Sequence, residues 1–82
     1  MGSLTVHVLD GKQNPVAGER VYCNFVRSVL GILPTTSEKH TDGGGVAKFD
    51  DVPAGTVQVH VRGKKVEVGV GTNDHEDVTV TV

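Results

Sequence analysis

Along most of the chain, apolar and polar residues alternate with a period of two, the spacing at which one face of a strand is buried and the other meets water. Leu4, Val6 and Val8 fall on one face, and Thr5, His7 and Leu9 on the other. This predicts a first strand stopped by an Asp10-Gly11 turn. The tract from Lys12 to Gly18 reads as a connection, opened by Asn14-Pro15 and closed by Gly18. Val21, Cys23 and Phe25 give the inward face of a second strand, with Tyr22 and Asn24 outward. After Pro34 a polar stretch runs to Asp42, and the triplet Gly43 to Gly45 turns the chain tightly into Ala47 and Phe49. The cleanest alternation sets Val57, Val59 and Val61 against Thr56, Gln58, His60 and Arg62. Gly63-Lys64 then turns the chain into Val66, Val68 and Val70. The acidic run Asp74 to Asp77 reads as a solvated turn, and Val78, Val80 and Val82 close the sequence.

About seven short strands at roughly ten-residue spacing, with turn chemistry between them, predict an all-β fold, a seven-stranded antiparallel β-sandwich. No segment of helical length has a 3.6-residue period. There is no internal repeat, linker or low-complexity tract, so residues 1–82 read as a single β-sandwich domain. Composition agrees: 17 Val and 8 Thr stand against 3 Ala and 4 Leu, a bias toward side chains that suit a pleated sheet. With 82 residues, folding hides only about 60% of the unfolded chain's surface, which favours a shallow surface or an interface over a deep catalytic cleft. A net charge of −2 gives no general attraction to phosphate backbones or anionic lipid. Phe25, Phe49 and Tyr22, the only aromatics, cannot build a stacking platform for single strands. The expected partner is therefore protein, through self-association or a larger assembly, and not nucleic acid. Cys23 stands alone, so no intramolecular disulfide forms, and parity makes it a buried thiol. The sequence carries neither a signal-peptide pattern nor an apolar run of about 20 residues, so a soluble protein without membrane insertion is expected.

Few residue clusters carry chemistry. His7 and His60 both point outward, and on neighbouring strands such a pair binds zinc with a carboxylate, but His-x-His spacing is missing. Neither the run from Asp74 to Asp77 nor Gly43 to Gly45 has the spacing of a calcium loop or a phosphate cradle, so no metal or cofactor is expected. Lys64-Lys65 reads as a charge that discourages strand addition at an edge or turn. One segment breaks the pattern. From Val26 to Pro34 the chain reads VRSVLGILP, with Val29, Leu30, Ile32 and Leu33 flanking Gly31. It is either a strand covered on both faces within the domain or an apolar loop covered by another chain. The second reading makes those four aliphatic residues the protein-interaction site, anchored by Leu30 and Ile32.

Two stretches carry a family resemblance. LTVHVLDGKQNPVAG, from Leu4 to Gly18, and TDGGGVAKFDDVPAG, from Thr41 to Gly55, resemble the transthyretin-like or prealbumin-like sandwich, in particular the carboxypeptidase regulatory-like domain. The matching residues are Pro15, Val16 and Gly18, then Thr41, Asp42, Gly45 and Phe49, then Val52, Pro53 and Gly55. They are turn formers and core positions, so the resemblance implies a fold rather than an activity. His7, in HVLD, is similar to the first-strand histidine of hydroxyisourate hydrolase, the enzyme branch of the transthyretin family. Where that branch has an Arg after the Thr-Asp-x-x-Gly turn this chain has Val46. It ends in Val-Thr-Val rather than Tyr-Arg-Gly-Ser, and its candidate second histidine, His75, reads as part of an acidic loop.

The leading expectation is thus a non-enzymatic structural or protein-interaction module, a decoration or connector component of a larger assembly such as a virion or an injection-type particle. A degenerate transthyretin-type hydrolase, and a carbohydrate- or metal-binding accessory domain, are the alternatives.

Overall fold

The computed structural model describes residues 2–25, 36–52, 54–71 and 74–82. Seven strands form along them: β1 (Gly2–Leu9), β2 (Arg20–Phe25), β3 (Thr36–His40), β4 (Val46–Val52), β5 (Gly55–Val61), β6 (Lys64–Val70) and β7 (His75–Thr81). They make two sheets, one ordered β4-β1-β7 and the other β3-β2-β5-β6. Alternation sorts the side chains as expected. Leu4, Val6, Val8, Val21, Cys23, Val57, Val59 and Val61 are buried between the sheets with Ala47, Phe49, Val52, Val70 and Val80, while Val66, Val68, Val78 and Val82 pack partly covered at the margin. Among the described residues no helix is long and apolar enough to cross a membrane.

Three features correct the sequence reading. The sandwich is not wholly antiparallel, because β7 runs parallel to β1 in register from Ser3 opposite His75 to Leu9 opposite Thr81. Alternation decides which face turns inward, but the connection decides direction. Here β6 hands the chain to the other sheet at the end where β1 starts, so β7 must run alongside β1. Next, the polar stretch before Asp42 contains a strand, β3, paired antiparallel with β2. As the last strand of its sheet it has one neighbour and is largely exposed, so no apolar alternation marks it. Finally, the turn between β5 and β6 is Arg62-Gly63, since Val61 pairs with Lys64. Both turn residues have positive φ, 48° and 77°, the two-residue hairpin whose twist matches the flanking strands.

The loops at one end are fastened by side chains that the motifs named. Asp10 Oδ1 accepts the backbone N–H groups of Lys12 and Asn14, and Asp42 Oδ1 accepts those of Gly44 and Val46. The buried Thr41 hydroxyl donates to Val16 O at 2.6 Å and accepts from Glu19 N at 2.8 Å, tying the β1–β2 connection to the end of β3. Gly45 is required twice over. Its φ is +73°, and a Cβ there would lie 2.8 Å from Val8 O. The principal extents are 39 × 22 × 16 Å. Strands of seven or eight residues, at about 3.3 Å each, with loops at both ends account for the long axis.

Candidate functional site

His7 does point outward, as parity requires, onto the outer face of the three-stranded sheet. The parallel pairing of β1 with β7 places Ser3, Thr5 and His7 beside His75, Asp77 and Thr79, and β4 adds Lys48 opposite Thr5 and Val46 opposite His7. Ser3 Oγ and His75 Nδ1 share a hydrogen bond of 2.6 Å, with a direction set by the imidazole tautomer. His75 Nε2 lies 3.5 Å from Thr5 Oγ1 and 3.4 Å from Asp77 Oδ1, and His7 Nε2 lies 3.6 Å from that same carboxylate oxygen. Two imidazoles therefore flank one carboxylate in a shallow groove that Val46, Lys48, Phe49 and Asp50 also line. All three groups are substantially exposed, so water screens their attraction and the cluster fastens β7 to β1 only modestly.

This places His75 differently from the sequence reading. It is the first residue of β7, on the face that carries His7, and Glu76 and Asp77 also belong to the strand. Residues more than sixty positions apart meet here through a parallel pairing, which no local pattern announces. The proposed partner of His7 is elsewhere: His60 is on β5 of the other sheet, so the two imidazoles cannot share a metal. His60 packs edge-on against Tyr22, ring centroids 5.7 Å apart, in a second shallow groove lined by Glu19, Arg20, Arg62 and Gly63. There Arg20 Nε sits 3.0 Å from Glu38 Oε2, and the Arg62 guanidinium meets Glu19. Among the described residues no group of three His, Cys, Asp or Glu side chains is arranged to hold a metal ion.

Cys23 is buried as expected, and desolvation pushes its thiol from an ordinary 9.0 up to about 12, far from a nucleophilic thiolate. Val46, where the hydrolase resemblance calls for an Arg, pairs directly with His7, so an aliphatic side chain stands beside the imidazole. Val29, Leu30, Ile32 and Leu33 lie outside the described residues.

No family model and no curated protein matches this sequence. Solved structures do resemble it. The Bacillus anthracis TIE protein superposes on 98% of the chain with a TM-score of 0.76 at 17% identity. The major pilin subunit of Bacillus cereus superposes on 99% with a TM-score of 0.77 at 14% identity. The chain spans 16% of the first and 29% of the second. Likeness at such identities shows the fold, an immunoglobulin-like β-sandwich that recurs as one part of longer chains.

Proposed function

We propose that this chain is a non-enzymatic structural module of a protein assembly, a spacer or connector set in line with other domains. One observation carries the reading: the parallel pairing of β1 with β7. With first and last strands side by side and running the same way, the chain enters the sandwich at one pole and leaves at the other. Had the two strands been antiparallel, entry and exit would share a pole and a copy added in sequence would fold back. The resemblance to a pilin subunit, and the small fraction of each neighbour that the domain matches, support a use in which such sandwiches follow one another. The finer assignment to the prealbumin-like, carboxypeptidase regulatory-like group is part of this reading. It is supported by Thr41, Asp42 and Gly45 serving as the hydrogen-bonded and left-handed positions of one turn.

The test is the shape of two copies fused through a linker of a few residues. Small-angle scattering should give a maximum dimension close to twice that of one domain, whose long axis is 39 Å. A compact pair no longer than a single copy would remove the spacer reading.

A further inference from the structure

The two sheets end in four edge strands, β4 and β7 in one, β3 and β6 in the other. An edge strand offers its outer N–H and C=O groups to any extended chain, and native proteins blunt such edges with charge. Three of the four are blunted in this way. β3 carries exposed Glu38 and Lys39, β6 carries exposed Lys64, Lys65 and Glu67, and β4 carries exposed Lys48 and Asp50. The second half of β7 is different. From Val78 to Val82 the chain reads VTVTV, five β-branched residues without a charge, a proline or a glycine, all within the described residues.

The hydrogen-bond ladder decides which backbone groups stand at that edge. In a parallel pair, a residue bonds to the two residues flanking its opposite number, and its own N–H and C=O point the same way. At the two ends of the β1–β7 register, Asp74 O accepts from Ser3 N at 2.9 Å and Val82 N donates to Leu9 O at 2.8 Å. The even-numbered residues of β7 therefore turn their N–H and C=O groups toward β1. Those of Asp77, Thr79 and Thr81 point the other way, and among the described residues no strand lies beyond β7 to receive them.

We infer that two copies of this chain pair edge to edge, β7 antiparallel to β7 through Val78–Val82, so that the two three-stranded sheets become one. The segment itself identifies a second copy as the occupant. VTVTV reads the same in both directions, so antiparallel pairing about Val80 sets Val80 opposite Val80, Val78 opposite Val82 and Thr79 opposite Thr81. The valines then continue the inner face of both sheets, and the threonines pair on the outer face, where Thr–Thr contacts support a ladder. Thr79 and Thr81, whose backbone groups are the outward ones, become the hydrogen-bonded pairs. Charge fixes the direction. Antiparallel pairing leaves Glu76 and Asp77 beyond the paired segment, at its opposite ends, whereas a parallel pair in register sets each acid beside its own copy. Each molecule has one such edge, so the contact is isologous and stops at a dimer. It is also small. About 17 Å of strand across a 16 Å thickness buries on the order of 500 Å² over both partners, below the roughly 1,200 Å² of stable complexes. The dimer is therefore weak, with a Kd on the order of 0.1 mM, and gains where copies are tethered side by side. The inference goes beyond the spacer reading and does not need it, because the pairing is a property of the isolated chain.

Sedimentation equilibrium of the intact chain should show the mean mass rising from one copy at about 10 µM toward two at about 1 mM. Over that range, amide exchange at Thr79 and Thr81 should slow about fourfold, the ratio of free edge at the two concentrations for such a Kd. Val78, Val80 and Val82, already bonded to β1, should exchange slowly throughout. Thr79→Pro removes an N–H that only the partner uses, so it should abolish the dimer and leave the β1–β7 ladder intact. Thr79→Lys with Thr81→Lys sets Lys opposite Lys and should weaken association at least tenfold, as should the matching pair of Glu substitutions. An equimolar mixture of those two variants should dimerise again. Retained cooperative unfolding of each variant shows that the fold is intact, and the charge variants decide the matter if proline disturbs the strand. A wild type that stays monomeric at about 1 mM, which leaves the edge to a strand of an unrelated protein, overturns the inference. So does slowed exchange confined to other strands, growth past the dimer, or association indifferent to the Lys pair. The shape of the fused pair, which judges the spacer reading, enters none of these measurements, so one can fail without the other.

Discussion

Single residues explain why the family-like stretches say so much about fold. Asp10 and Asp42 each begin a loop, and each uses its carboxylate to satisfy two backbone N–H groups that would otherwise need water. The N–H groups of Asn14 and Lys12 hold the Asp10 carboxyl below its ordinary range, as expected for a charge stabilised by donors. Each of these carboxylates bonds within its own turn, so both turns were legible from Asp and Gly positions alone. The register of β5 was legible for a similar reason: Val59 is fully buried, and His60, one step on, is half-buried on the opposite face. Val59→Asp should therefore abolish cooperative thermal unfolding. A carboxylate without a partner between the sheets costs several kcal/mol, against a total stability of about 5 to 15 kcal/mol. His60→Ala, which removes only a surface packing against Tyr22, should stay within about 0.5 kcal/mol. Equal effects of the two substitutions would mean that the strand is out of register by one residue.

At the scale of elements, legibility depended on how many neighbours a strand has. Central strands such as β1, β2 and β5 bury one face fully and display it as alternating Val, Leu and Phe. The edge strand β3 reads TSEKH, and its one inward charge explains itself: Lys39 shares a face with buried Val21 through the β2–β3 register. Its ammonium lies 5.7 Å from the Phe49 ring centroid, so its stem covers the open side of the sandwich while its charge guards the edge. The direction of β7 was not legible, because it is set by where the β6–β7 connection crosses between sheets. The apolar segment from Val29 to Leu33 joins β2 to β3, and its assignment to a partner contact stands as a proposal from sequence. Large aliphatic side chains gain about 1.5 to 3 kcal/mol each when covered, far more than a surface ion pair offers. Leu30→Ser combined with Ile32→Ser should leave the isolated domain's thermal unfolding nearly unchanged and weaken its attachment to a partner. Loss of cooperative unfolding in the double variant would assign the segment to the domain's own core instead.

For the whole molecule, the hard question is whether the His7 groove is a reaction centre or part of the surface that fastens the terminal strands. The sequence identified His7 and its outward direction but not its company, since Ser3, His75 and Asp77 reach it only through the parallel pairing. Hydrolysis of a ring amide asks for more than a single base. A general base contributes about 10² to 10⁴-fold by itself, and most of the remainder comes from fixed donors aimed at the developing oxyanion and from positioning of the substrate. Beside His7, where the resemblance to hydroxyisourate hydrolase implies an Arg, stands Val46. The Asp77 carboxylate lies 3.6 Å from His7 Nε2, and its negative charge opposes a developing oxyanion. Lys48 is exposed and lies opposite Thr5 rather than His7. The purified chain should accordingly produce no acceleration of hydroxyisourate hydrolysis above buffer, followed by the loss of substrate absorbance. His7→Ala should leave that null rate and the thermal stability essentially unaltered. Turnover that is measurable in the wild type and vanishes in His7→Ala would make the groove catalytic and set aside the structural-module reading.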